Sequence, residues 1–94
     1  MLRKGKSTEF FLCRNCPDPF KKKTMIQYCV SRRENIKIEV LDSEKIKVKT
    51  LVNEIKDSGT YQVEFIAKRI KEGIYIYSMR AGKFKMARRM LYLK

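Results

Sequence analysis

The chain is 94 residues long, enough for one modest core and too short for two, and its 44% hydrophobic residues with five Tyr and five Phe are too many for a disordered tail. No apolar run approaches the roughly 18 residues of a membrane span, and Met1-Leu2-Arg3-Lys4-Gly5-Lys6 has no apolar region behind it of the kind a secretory signal carries, so the expected location is cytoplasmic. A net charge of +13 with no histidine points to a polyanionic partner and removes the usual general base near neutral pH.

Residues 1 to 6 read as a basic tail on a single domain spanning 1–94. Ser7 to Cys13 reads as a short buried strand through Phe10, Phe11 and Leu12. It ends at Cys16-Pro17-Asp18-Pro19, where two prolines remove backbone donors and Asp18-Pro19 has the form of a helix N-cap and first turn. The spacing then predicts a helix from Pro19 to about Arg33, with Met25, Tyr28 and Cys29 inward and Lys21, Lys22, Lys23, Arg32 and Arg33 solvated; the run M-I-Q-Y-C-V also suits a strand.

Asn35 to Ile55 carries the longest strict alternation in the chain. It predicts a hairpin with Ile36, Ile38, Val40, Ile46, Val48 and Val52 on one face and a turn at Leu41 to Glu44. A helix over 44–57 is the competing reading, since Val48, Leu51, Val52 and Ile55 also share a helical face. Asp57-Ser58-Gly59 is a turn signal. Thr60 to Lys71 fits a strand through Tyr61, Val63 and Phe65, and a helix through Val63, Ile66, Ala67 and Ile70. Ile74 to Met79 is a strand, Ala81-Gly82 breaks it, and Lys83 to Leu93 has the spacing of a terminal helix with Phe84, Ala87, Met90 and Leu91 inward.

Strand, helix, hairpin, helix, strand and terminal helix together predict an α+β fold: an antiparallel sheet with helices on one face, a ferredoxin-like split β-α-β with a C-terminal helix. The alternatives are a thioredoxin-like β-α-β-α-β-β-α order, if 44–57 is helical, and a small β-barrel, if neither middle helix forms.

The charge divides unevenly. Residues 1–33 hold nine Lys/Arg against Glu9 and Asp18, a net +7; residues 34–72 balance at eight of each sign; residues 73–94 hold six basic residues and no acid. Flanks so charged repel one another unless a partner neutralises them, which predicts a non-enzymatic nucleic-acid-binding protein, for DNA or RNA, contacting phosphates through its flanks. The candidate residues are Lys21, Lys22, Lys23, Arg32 and Arg33 in the first flank and Arg80, Lys83, Lys85, Arg88 and Arg89 in the second, with Tyr75 and Tyr77 as platforms for unpaired bases. A basic adaptor for an acidic protein, and homodimerisation, fit the same composition.

Cys13-Arg14-Asn15-Cys16 is a C-x-x-C motif at a strand end. Beside a helix N-terminus and Arg14 its thiols would be activated for redox exchange. With Cys29 it offers three soft metal ligands, one short of a closed zinc site. No catalytic residue, cofactor or membrane partner is predicted.

Overall fold

The computed structural model describes residues 9–94 and contains seven strands and no helix among them. They are β1 (Phe11–Leu12), β2 (Lys23–Val30), β3 (Glu34–Leu41), β4 (Lys47–Lys56), β5 (Gly59–Ile66), β6 (Gly73–Ala81) and β7 (Phe84–Tyr92). One sheet has the order β1-β2-β5 and the other β4-β3-β6-β7, every neighbouring pair antiparallel. The chain changes sheet between β2 and β3, β4 and β5, and β5 and β6, so β5 returns to lie beside β2. Two sheets face to face bury one side of each strand, the arrangement of a β-sandwich.

The helices expected at 19–33, 60–71 and 83–93 are strands, and the α+β class gives way to an all-β one. In β2 the inward residues are Thr24, Ile26, Tyr28 and Val30, a period of two. The three lysines ahead of them suggested a helical polar face, yet Lys21 and Lys22 precede the strand and only Lys23 opens it. In β5 the alternation of Tyr61, Val63 and Phe65 prevails, with Phe65 fully buried and Ile66, which the helical pattern needed inside, 40% exposed. In β7 Gly82 does not end a strand before a helix; it turns a two-residue hairpin in which Ala81 pairs with Phe84. Neither alternative holds, since 44–57 is mostly strand and the seven strands form two separate sheets in place of a closed barrel.

The hairpin at 35–55 is present as β3 paired with β4. Asp42 fastens its turn, its Oδ1 accepting from the N–H groups of Glu44 at 2.8 Å and Ile46 at 2.9 Å. Ile36, Ile38, Val40 and Val52 are buried, but Ile46 is 59% exposed. The pairing is interrupted twice: Ile38 faces Val52 while Glu39 faces Thr50, and Val40 faces Lys49 while Leu41 faces Lys47, so Leu51 and Val48 are extra residues in β4. Two shifts of one residue restore the alternation, so the bulges do not expose Ile46; it lies ahead of β4, in the turn that Asp42 fastens.

The core between the sheets is lined by Leu12, Ile26 and Tyr28 on one side and Ile38, Val40, Tyr77 and Met79 on the other. Residues 13–20 strap the two sheets together. Cys16 exchanges backbone hydrogen bonds with Met25 of β2, both 2.9 Å, and Phe20 pairs in parallel with Tyr92 at the far end of β7. Within the strap Asn15 Nδ2 donates to Thr24 Oγ1 and to the Pro17 carbonyl, and both X-Pro bonds, Cys16–Pro17 and Asp18–Pro19, are cis. The basic tail predicted at residues 1–6, like Ser7 of the first expected strand, lies outside the described residues.

Candidate functional site

Tyr75 and Tyr77 are fixed by strand alternation on the inward side of β6, where Tyr77 has no exposed surface and Tyr75 has 6%. Each hydroxyl is satisfied by backbone: Tyr77 donates to the Cys13 carbonyl at 2.7 Å and Tyr75 to the Lys71 carbonyl at 2.6 Å. Burial raises the pKa of both phenols. They are core residues that anchor loops to the sandwich, with no ring face free for a base.

The first basic group does not converge on one surface. Lys23 pairs with Glu64 across β2 and β5 at 3.3 Å, Arg33 pairs with Asp57 at 2.6 Å, and the Arg32 guanidinium lies over the Phe10 ring at 5.3 Å. Lys21 and Lys22 are exposed and in no ion pair among the described residues. The second group is more coherent, because the β6–β7 hairpin carries all of it. Lys85 and Arg89 project from the solvent face of β7, while Arg80 and Lys83 are exposed at its turn end. Arg88, two strand positions along from Met86 and Met90, points the other way: its Nε donates to the Leu12 carbonyl at 2.6 Å and its guanidinium lies 5.4 Å from the Phe11 ring. It closes the gap between β7 and β1 at the side of the sandwich.

The thiols are free, Cys16 exposed and Cys13 and Cys29 half-buried. No helix follows the C-x-x-C, so the expected dipole is missing. Burial, and then the neighbouring Cys29, raise the Cys13 pKa, with Arg88 opposing them. A thiol held in its protonated form is a poor nucleophile, the reverse of the activation the motif suggested. No group of three metal-ligating side chains occurs among the described residues.

Sequence reasoning overlooked the backbone of β7. The strand lies at the edge of its sheet, and the two-residue turn makes 81/84, 79/86, 77/88, 75/90 and 73/92 the hydrogen-bonded pairs with β6. The odd-numbered residues of β7 therefore aim their N–H and C=O groups away from the sheet. At the C-terminal end these are taken: Leu91 N–H donates to Asp18 Oδ1 at 3.0 Å, Phe20 N–H donates to the Leu91 carbonyl, and Leu93 N–H donates to the Phe20 carbonyl. For Lys85, Ala87 and Arg89 no partner occurs among the described residues. A groove of about 660 Å³ lies along β7 from Ala87 to Leu91, bounded by Arg14 and Asp18 of the strap and by Ile74 and Ile76 of β6. The signal in the sequence was the Ala-Gly-Lys turn, which brings β7 back beside β6.

A family model described as the secretion system C-terminal sorting domain matches residues 16–92, from the strap to the end of β7. No curated protein and no solved structure matches the chain. The family match overturns two expectations together: nucleic-acid binding gives way to sorting for secretion, and the cytoplasmic placement gives way to export. The excess of positive charge was real, but charge alone does not distinguish a phosphate partner from other recognition.

Proposed function

Because this chain belongs to the secretion system C-terminal sorting domain family, we propose that it directs a protein joined to it out of the cell through a type IX secretion system, acting as a recognition module and not as a catalyst. The single observation that carries this reading is the match over 16–92, which takes in six of the seven strands and residues 16–20 of the strap. The fold suits the task. A sandwich whose core is closed by its own strap presents the same surface whatever is joined to it, and sorting needs a surface that does not depend on the passenger.

The test is a fusion of a reporter enzyme to this chain, expressed in a bacterium that has a type IX secretion system, beside the reporter alone. We expect reporter activity at the cell surface or in the medium for the fusion only. Retention of a folded, undegraded fusion inside the cell, at the level of the unfused reporter, overturns the proposal.

A further inference from the structure

We propose that the open edge of β7 between Lys85 and Arg89 is a docking site for an extended acidic segment of another protein, which adds to the larger sheet as a fifth strand. The inference rests on the sorting reading for its biological role and supplies the contact surface that reading lacks.

Three observations converge on this edge. First, Lys85, Ala87 and Arg89 direct their backbone N–H and C=O groups outward and leave them without partners among the described residues, although a sheet edge of this kind readily pairs with another chain. Secondly, the slot has a defined stop. Asp18 and Phe20 occupy the same edge at Leu91 and Leu93, so an incoming strand has room for about five residues, roughly 17 Å at the usual rise. Thirdly, the edge is cationic, Asp18 being the carboxylate that lines the groove, with its Oδ1 engaged by the Leu91 N–H. Lys85 and Arg89 stand on its solvent face, Arg14 stands across the groove, and none of the three is in an ion pair among the described residues.

That charge selects the occupant. A second copy of the chain, at +13, would bring like charge onto like charge, which costs stability in cross-strand neighbours. An acidic strand with carboxylates at every second residue can set one beside each of Lys85 and Arg89, which share a face four residues apart with Ala87 between them.

The experiment uses an acetylated eight-residue peptide with Glu at alternate positions and Val or Thr between them, a matched peptide with Lys in place of Glu, and the whole chain. Fluorescence anisotropy gives affinities, and amide hydrogen exchange follows residues 87 and 89. We expect the Glu peptide to bind, to slow exchange at Ala87 and Arg89, and to bind less tightly as salt rises, while the Lys peptide does not bind. Ala87→Pro removes an outward N–H without touching the β6–β7 ladder, a position where an edge strand tolerates proline, and should weaken the Glu peptide by about tenfold or more, as loss of one or two main-chain bonds predicts. Arg89→Glu, which leaves the backbone alone, should abolish the preference for Glu over Lys and serves if the proline variant does not fold. Equal binding of the two peptides, equal binding to Ala87→Pro and wild type, or no binding at millimolar peptide overturns the inference. In the reporter fusion the two readings separate: export of wild type and folded Ala87→Pro alike sinks the docking edge and leaves sorting intact, whereas failure of the wild type to export sinks sorting and leaves the peptide result to stand by itself.

Discussion

Tyr28, Tyr75 and Tyr77 show how much rests on where a single polar atom ends. All three rings lie in the core, and burial is the largest cause of the raised pKa in each. A phenol that ionises less readily when folded than when unfolded protects the fold only while both states stay protonated. Stability is therefore full below the ordinary tyrosine value near 10 and falls as pH rises through the higher folded values, because the unfolded chain releases its protons first. Denaturant unfolding from about pH 8 to about pH 11.5 should show this decline, and Tyr77→Phe should make it shallower, at a cost of about 1 kcal/mol at the lower pH for the lost bond to the Cys13 carbonyl. Coincident declines for variant and wild type would mean that Tyr77 does not titrate with unfolding. The sequence showed that Tyr75 and Tyr77 sit on a strand but not which face of it is covered, since the alternate residues Ile74 and Ile76 are equally apolar. That ambiguity made core side chains look like base platforms.

Elements were legible where alternation ran unbroken. β3 is such a case, with Ile36, Ile38 and Val40 buried as the pattern requires. β7 is the contrary case. Its inward row is Phe84, Met86, Arg88, Met90 and Tyr92, and a guanidinium in the middle of that row disguises the period of two, while the long unbranched residues around it favour a helix intrinsically. Arg88 is tolerated there because it reaches the side of the sandwich, between β7 and β1, and finds the Leu12 carbonyl, a partner the sequence cannot reveal. The turn before it is more local. Gly82 has a φ of +60°, and a Cβ at that position would lie 3.2 Å from Glu34 Oε1. Gly82→Ala should therefore cost about 1 kcal/mol and lower the melting temperature by roughly 4–8 °C in a domain of this size. An unchanged melting temperature would show that the hairpin adopts another turn. Of the candidate surface, the cations were visible in the sequence and the edge was not, because an unpaired backbone is a property of topology, not of side chains.

At the scale of the molecule, the sequence sets 23 basic residues against 10 acidic ones, and the described residues form a body 47 × 22 × 17 Å in extent. The five ion pairs among the described residues engage Lys23, Arg33, Lys37, Lys47 and Lys56, mostly in the balanced middle of the chain, and most of the described flank cations are in no ion pair among the described residues. Folding gathers these charges, so screening should help it. Raising sodium chloride from about 10 mM to about 300 mM shortens the screening length from roughly 30 Å to about 6 Å and should raise the melting temperature by several degrees. A fall, or no change, would indicate that the ion pairs outweigh the repulsion.

The strap bears on how such a body yields to force. Phe20 and Tyr92 run in parallel, one early and one late in the chain, so tension applied between the two ends pulls these neighbours past each other along their common axis. Their two backbone bonds, with Asp18 beside them, are then loaded together in shear, whereas β1, antiparallel to β2, can be peeled away one bond at a time. A domain drawn by its ends would thus lose its first strand easily and hold at the junction of strap and β7, a mechanical grip placed at the very edge where Lys85 to Arg89 stand open.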